Sequence, residues 1–152
     1  MNVREIMVND VTTCSKDTDL ESAALAMWDS DCGALPVADD SGRPIGLITD
    51  RDISMAVAFN HLPPREVQVG TVINGRGAVT CTPDQTVSAV LGLLAANRIR
   101  RLVVVDDSGQ ICGMLSLGDI VAEAVPESNN GGGDGRLLRE LISTMKQVYT
   151  SH

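Results

Sequence analysis

The chain has 152 residues, of which 43% are hydrophobic and 21% charged, a balance that is typical of a globular protein and excludes a disordered chain. Its net charge of −8 argues against nucleic-acid binding, and it has no apolar run near the roughly 20 residues that span a membrane. Only 2% of the residues are aromatic, so the core and the walls of any ligand cleft are expected to be aliphatic.

The first half of the chain opens with a strand near Thr12 and a helix. The helix is predicted because four apolar residues recur at helical spacing, namely Leu20, Ala23, Ala24 and Met27. Thr18 and Glu21 form a capping-box pattern at its start. Trp28 lies at the edge of the apolar stripe, where it either fills the core or makes a contact between subunits.

A hairpin and a second helix complete the first half. The apolar runs 35–38 and 45–48 flank the turn sequence Asp39-Asp40-Ser41-Gly42, which predicts two strands joined by a turn. The helix that follows is expected to start after Thr49. Pro63 and Pro64 lie beyond it and separate the two halves.

The second half of the chain repeats the first. A shift of 67 residues aligns residues 12–53 with 79–120 without a gap, and 12 of these 42 pairs are identical, where average composition gives roughly three. One copy alone would leave a sheet face uncovered. We therefore predict an α+β fold in which two β-α-β-β-α units pack about a pseudo-twofold axis, with a C-terminal amphipathic helix added.

Five stretches follow from this organisation. They are a first unit (1–60), a linker (61–66), a second unit (67–126), a flexible Gly-rich linker (127–135) and a C-terminal helix (136–152). The helix is predicted from apolar residues at helical spacing, namely Leu137, Leu138, Leu141, Ile142, Met145 and Val148. It either packs on its own chain or docks on a partner or a second subunit.

The cysteines and histidines give no sign of catalysis. Cys14, Cys32, Cys81 and Cys112 lack the spacing of a metal site, and no secretory leader is visible. We expect four reduced, buried thiols in a cytoplasmic protein. His61 has no nucleophile or carboxylate partner by spacing, and His152 is terminal, so we predict no enzyme, catalytic cofactor or metal site.

Both halves carry a hydroxyl residue followed three positions later by an aspartate, where a strand passes into a helix. Thr49 and Asp52 form the first pair, and Ser116 and Asp119 form the second. A helix N-terminus attracts phosphate through its free amides, and a carboxylate can accept both hydroxyls of a ribose, so the pattern suits a nucleotide. The alternative is that the hydroxyls and carboxylates only cap the two helices.

These two stretches resemble the family of cystathionine β-synthase (CBS) motifs. The similarity is carried by Gly46 to Asp52, Leu102 to Asp106 and Gly113 to Asp119, and it spans about residues 1–125. The resemblance implies a stand-alone CBS pair, or Bateman module, with two clefts that each hold an adenosyl ligand such as AMP, ADP, ATP or S-adenosylmethionine.

The resemblance also implies which residues meet the ligand. For the first cleft they are Thr12, Thr13, Leu35, Pro36, Thr49, Arg51 and Asp52. For the second cleft they are Val79, Thr80, Arg101, Leu102, Val103, Ser116 and Asp119. Gly118 replaces the arginine found at position 51, so phosphate in the second cleft would need Arg98, Arg100 or Arg101, and the clefts are expected to be unequal.

The predicted function is regulatory. An adenine nucleotide would act as the regulatory ligand of a homodimer, and the signal would pass to a protein effector in trans. The alternative is a dimerisation or scaffold module whose clefts are vestigial.

Overall fold

A computed structural model describes residues 1–73, 75, 77–124 and 135–150 of the chain. Helices and strands are mixed along the chain, in agreement with the predicted α+β class. The helices are α1 Leu20–Asp29, α2 Asp50–Asn60, α3 Val69–Ile73, α4 Val87–Asn97, α5 Leu117–Ala124 and α6 Gly135–Tyr149. The strands are β1 Ala34–Ala38, β2 Pro44–Thr49, β3 Thr80–Cys81, β4 Arg101–Val105 and β5 Ile111–Ser116. The Gly-rich linker predicted at 127–135 lies outside the described residues except for Gly135, where α6 begins.

One compact unit contains most of the first repeat, residues 10–79, together with residues 107–112. β1 and β2 form an antiparallel hairpin in which Ala34 lies opposite Thr49. The strand predicted before α1 is reduced to a single parallel bridge between Cys14 and Val37. The apolar stripe of α1 is buried against this hairpin, as its helical spacing predicts.

The other compact unit contains residues 1–9, 80–106 and the chain from 113 onward. β4 lies between β3 and β5, and β3 is parallel to β4. α6 packs against both α4 and α5, and it buries Leu141 and Thr144. The hydroxyl of Thr144 donates a hydrogen bond to the carbonyl of Leu91 at 3.4 Å. Of the two alternatives for the C-terminal helix, packing on its own chain is therefore the one observed.

The segment that precedes each repeat packs on the other repeat. Val3 N–H donates to the carbonyl of Gln85 at 2.9 Å, and Val69 N–H donates to the carbonyl of Thr18 at 2.8 Å. Gln85 and Thr18 are equivalent positions, since they differ by the repeat shift of 67 residues. Val3 and Val69 are both fully buried. The sequence repeat thus assigns Val3 to the first half, whereas the structure packs it with the second.

The N-terminal segment also explains one glycine. Val8 exchanges two backbone hydrogen bonds with Met114, at 2.9 and 3.0 Å. A Cβ on Gly113 would lie 2.8 Å from the carbonyl oxygen of Val8, closer than a side-chain carbon can approach. Only a residue without a side chain lets β5 come this close to the segment.

Three local expectations are corrected by the structure. α1 is capped by Asp19, whose carboxylate accepts from Ser22 N–H at 2.8 Å, and not by Thr18, whose hydroxyl turns back to accept from Ser15 N–H at 3.1 Å. Trp28 is 84% exposed, so it does not fill the core. Cys32 is exposed rather than buried, because it follows the end of α1, where the chain turns at the surface.

Candidate functional site

The junction between β2 and α2 is closed by a reciprocal capping box. The hydroxyl of Thr49 accepts from Asp52 N–H at 3.1 Å, and Oδ2 of Asp52 accepts from Thr49 N–H at 3.0 Å and from the Thr49 hydroxyl at 2.9 Å. Both residues are half-buried. The capping alternative raised by the sequence is therefore realised in the geometry, and it holds the hydroxyl and the carboxylate together at the start of the helix.

The junction between β5 and α5 repeats this geometry. Oδ2 of Asp119 accepts from Ser116 N–H at 2.8 Å and from the Ser116 hydroxyl at 2.7 Å, and Asp119 N–H donates to that hydroxyl at 3.2 Å. All the hydrogen bonds that Asp119 accepts end on Oδ2. Its second oxygen, Oδ1, has no partner among the described residues and remains an acceptor.

The free amides of the two helices are not equally available. The first amide of each helix is used in the same way, since Asp50 N–H donates to Gly33 at 3.2 Å and Leu117 N–H donates to Arg100 at 2.9 Å. The second amide differs. Arg51 N–H donates to Oδ1 of Asp50 at 2.8 Å, whereas the N–H of Gly118 has no acceptor among the described residues.

The remaining residues predicted for the first cleft fall into two groups. Thr12 and Thr13 are exposed, and the hydroxyl of Thr12 lies 2.9 Å from that of Ser30. Cys14 N–H donates to the carbonyl of Pro36 at 3.0 Å, so the threonines lead directly into the segment beside β1. The side chains of Leu35 and Pro36 are buried by the protein itself, which leaves them little surface for a ligand.

The residues predicted for the second cleft are arranged in a similar way. Thr80 is exposed and lies opposite Val103 in the parallel pair of β3 and β4. Leu102 and Val103 are buried by their own unit, and Val79 is half-buried just before β3. Arg101 is half-buried and directly follows the carbonyl of Arg100 that holds the first amide of α5.

The other two arginines have separate surroundings. Arg98 ends α4 in the left-handed conformation, with φ of 53°. The guanidinium of Arg100 lies over the ring of Tyr149 in α6, 5.8 Å from its centre. Arg100 contacts the start of α5 through its carbonyl, but its guanidinium lies over Tyr149. Arg101, the next residue in β4, is therefore the candidate for phosphate beside this junction.

The pKa values of Cys14 and Asp19 are clearly shifted from their usual values. Burial raises the pKa of the Cys14 thiol to about 11, because the thiolate would lose its hydration. Hydrogen bonds from the backbone and hydroxyl of Ser22 hold the pKa of Asp19 below its usual value. Neither residue is one of the predicted ligand contacts.

Sequence reasoning identified the hydroxyl and carboxylate pairs but missed the second amides. The acceptor for Arg51 N–H is the side chain of Asp50, and its counterpart in the second repeat is Leu117. The difference between Asp50 and Leu117 is visible when the two repeats are aligned. Its effect on the helix amides can be seen only in the structure, which shows which amide each side chain reaches. Among the described residues, no group of three or more His, Cys, Asp and Glu side chains is placed to hold a metal ion, and no helix is long and apolar enough to cross a membrane.

Comparison with known proteins identifies similar sequences and structures. The family described as CBS domain matches residues 3–58 and 69–125. Inosine-5'-monophosphate dehydrogenase of Mycobacterium tuberculosis (strain CDC 1551 / Oshkosh) is 33% identical over 132 residues, which are 87% of this chain. They are only 24% of that relative, so the chain spans about a quarter of its length.

Two solved structures share the fold. Hypoxic Response Protein I, solved with two coordinated zinc ions, has a TM-score of 0.72 and 26% identity and covers 83% of this chain and 100% of its own. The CBS domain pair of protein MJ0100, in complex with 5'-methylthioadenosine and S-adenosyl-L-methionine, has a TM-score of 0.72 and 25% identity. That match covers 80% of this chain and 97% of the other.

Proposed function

Because the chain belongs to the CBS domain family, which matches it in two copies, we propose that it is a regulatory module that binds an adenosine-type ligand and catalyses no reaction itself. The observation that carries this proposal is the repeated junction, in which a hydroxyl and a carboxylate are held at the start of both α2 and α5. The complex of the MJ0100 pair with two adenosyl compounds supports the choice of ligand class.

The carboxylates are proposed to bind the ribose. Asp119 keeps Oδ1 as an acceptor while Oδ2 holds the capping box, so one side chain can cap the helix and accept from a sugar hydroxyl. Asp52 holds Thr49 in the same way. The capping role and the binding role are therefore compatible, and the first fixes the carboxylate for the second.

The phosphate ends of the two sites are proposed to differ. At α2 the carboxylate of Asp50 occupies the second amide, so a phosphate must displace it and rely on the exposed Arg51. At α5 the amide of Gly118 is open and Leu117 brings no charge, with Arg101 as the adjoining cation. Because Gly118 stands where the first site has Arg51, we propose that AMP, ADP or ATP binds at the first site through the long side chain of Arg51. The second site has the open amide but no arginine at this position, so we propose that it takes a nucleoside or a ligand with a shorter phosphate chain.

The lining of the base is proposed to come mainly from the backbone. Thr12 and Thr13 at the first site and Val79 and Thr80 at the second lead into the segments beside β1 and β4. Leu35, Pro36, Leu102 and Val103 have buried side chains, so they support the wall from behind. An adenine edge would hydrogen-bond to backbone amides and carbonyls, in keeping with the scarcity of aromatic side chains.

The signal is proposed to pass to a protein partner in trans, with the module acting as a homodimer in the cytoplasm. A ligand that binds one assembly or conformation better than another shifts the population toward it. None of the four cysteines is joined to another described residue by a disulfide, which fits a reducing compartment.

The alternative is a scaffold with vestigial clefts, and one observation favours it. The capping boxes already give Thr49, Asp52, Ser116 and Asp119 a structural role without any ligand. Under this alternative the two junctions persist because they start helices, and the function is the assembly itself.

Thermal shift and titration calorimetry with AMP, ADP, ATP, S-adenosylmethionine and NAD separate the two functions. A ligand at 100 times its dissociation constant stabilises by about 2.7 kcal/mol, which raises the melting temperature of a domain of this size by roughly 5–10 °C. No shift with any adenine compound at millimolar concentration would establish the scaffold function. Mass spectrometry of small molecules released from the purified protein then identifies the ligand.

A further inference from the structure

The segment between α4 and β4 carries an arginine that contacts both the start of α5 and the end of α6. The carbonyl of Arg100 accepts from Leu117 N–H, the first amide of α5, at 2.9 Å. Its guanidinium lies 5.8 Å from the centre of the Tyr149 ring, and Tyr149 is the last residue of α6. One residue therefore connects the second candidate site with the C-terminal helix, and all these residues lie in the same compact unit.

The packing of α6 brings Tyr149 to this place. α6 lies against α4 and α5, and its buried residues Leu141 and Thr144 fix it there. The hydroxyl of Thr144 also donates to the carbonyl of Leu91 in α4. Because α6 continues for more than one turn beyond Thr144, its last residue reaches the chain that leaves α4. Arg100 belongs to that chain, just before β4.

The two repeats carry an arginine on opposite sides of the helix start. The repeat shift of 67 residues pairs Arg100 with Gly33, and Gly118 with Arg51. The carbonyls of Gly33 and Arg100 hold the first amides of α2 and α5 in the same way. The first site thus has a glycine before the helix start and an arginine after it, and the second site has the reverse order. At these two positions each junction has one long cationic side chain for a phosphate at the helix N-terminus.

In the second site this cation is held by an aromatic ring. Among the described residues no carboxylate forms a salt bridge with the Arg100 guanidinium, and its observed partner is the ring of Tyr149. Both side chains are exposed. A cation–π contact at an exposed site is weak, whereas a charge-assisted hydrogen bond to phosphate is stronger. A phosphate bound beside the open amide of Gly118 would therefore draw Arg100 off the ring.

We propose that Tyr149 is a positioning residue that sets the ligand preference of the second site. While the ring holds Arg100, the site offers one cation fewer to a phosphate and favours a nucleoside. A ligand that carries phosphate breaks the contact with the ring and releases the end of α6. By linkage, docking of that end weakens phosphate binding by the same factor. The inference rests on the proposed function, since it concerns one of the two proposed ligand sites, and it adds which element responds to the charge of the ligand.

Titration calorimetry of ring variants with AMP and adenosine is the first test. Asp52→Ala is the background, because it weakens the first site and leaves the second to be measured. Tyr149→Ala should raise the affinity for AMP by about 2- to 5-fold, the factor that corresponds to an exposed cation–π contact, and should leave the affinity for adenosine unchanged. Tyr149→Phe keeps the ring, so it should bind both ligands as the background does.

Arg100→Gln tests whether the ring acts through the arginine. In this variant the further change Tyr149→Ala should not alter the affinity for AMP, because no guanidinium is left for the ring to hold. A gain that persists in Arg100→Gln, or an equal gain for adenosine, would show that loss of the ring acts through the packing of α6 and would overturn the proposal. An unchanged affinity for AMP in Tyr149→Ala would overturn it as well.

Fluorine NMR follows the contact directly, because the chain has a single tyrosine and labelling with meta-fluorotyrosine gives one signal. In the ligand-free protein this signal should move when Arg100 is replaced by glutamine. In the Asp52→Ala background AMP should move the signal toward the position seen in Arg100→Gln, whereas adenosine should not. A signal that does not respond to Arg100→Gln, or AMP that binds without moving it, would refute the role of Tyr149.

These measurements separate failure of this inference from failure of the proposed function. If no adenine compound raises the melting temperature of the wild type, the proposed function fails and the inference fails with it. If AMP or adenosine binds but neither the gain in Tyr149→Ala nor the movement of the fluorine signal is seen, ligand binding stands and the role of Tyr149 is removed.

Discussion

Replacing Asp52 with alanine tests whether its carboxylate only caps α2 or also binds ligand. The substitution removes the carboxylate that accepts hydrogen bonds from the N–H and the hydroxyl of Thr49, at 3.0 and 2.9 Å. The N–H of the half-buried Thr49 then lacks this acceptor. Loss of such a cap costs about 0.5–2 kcal/mol. For a domain of this size each kcal/mol lowers the melting temperature by roughly 2–4 °C, so the ligand-free protein should melt about 1–8 °C lower.

The effect on binding is expected to be larger than the effect on stability. A hydrogen bond to a charged group contributes about 1.5–3 kcal/mol, so the affinity should fall by roughly 10- to 100-fold. At a ligand concentration of 100 times the wild-type dissociation constant, a 100-fold loss reduces the stabilisation from about 2.7 to about 0.4 kcal/mol. The melting shift produced by the nucleotide should therefore nearly disappear.

Asp19→Ala is the matched control, because Asp19 caps α1 through Ser22 and is not a predicted ligand residue. It should lower the melting temperature at pH 7 and keep the full nucleotide shift. Since the pKa of Asp19 is lowered in the folded state, its stabilisation is present above the ordinary value of 3.8 and is lost as the pH falls through the lowered pKa. An undiminished nucleotide shift in Asp52→Ala would refute a binding role for that carboxylate.

Three further predictions concern packing and reactivity. Iodoacetamide at pH 8 should label Cys32 well before Cys14, whose pKa of about 11 leaves roughly one thiolate in a thousand; peptide mass spectrometry gives the order, and equal rates would contradict the burial of Cys14. Leu141→Ala should cost about 2–5 kcal/mol in urea unfolding, because the side chain is buried by α4 and α5, and a cost near zero would mean that α6 is undocked. Gly113→Ala should destabilise the folded protein, because the new Cβ would clash with the carbonyl of Val8. Gly92→Ala in α4 should stabilise it by about 1 kcal/mol, since the new Cβ enters open space. The opposite order of melting temperatures would contradict the close approach at β5.

Much of the fold could be predicted from the sequence because its periodicities are local. The helical stripe of α1 and the paired apolar runs around Asp39 to Gly42 each correspond to an observed element, and the second repeat supplied an independent copy of the evidence. Family membership confirms the class. The stripe from Leu137 to Val148 likewise predicted α6 without any knowledge of what it packs against.

What could not be predicted depends on contacts between distant residues or on competition between neighbours. Asp19 rather than Thr18 caps α1. The two residues are adjacent in the sequence, and the side chain of either can accept a hydrogen bond from a backbone amide. The exposure of Trp28 depends on what covers the edge of an apolar stripe, which periodicity does not reveal. At the candidate site the sequence predicted the two pairs of hydroxyl and carboxylate. It did not predict that the side chain of Asp50 accepts from Arg51 N–H, while Gly118 N–H has no such acceptor among the described residues.

The exchange of segments between the repeats has a consequence for synthesis of the chain. Val3 is synthesised about eighty residues before its hydrogen-bond partner Gln85, so the unit that holds Val3 closes only after most of the module has been made. The corresponding hydrogen bond of the other unit joins residues that are closer in the sequence, since Val69 N–H donates to the carbonyl of Thr18. The first repeat can therefore form this contact sooner. Translation thus imposes an order on folding, and a gene cut between the repeats would yield two fragments, each lacking a segment that the other carries.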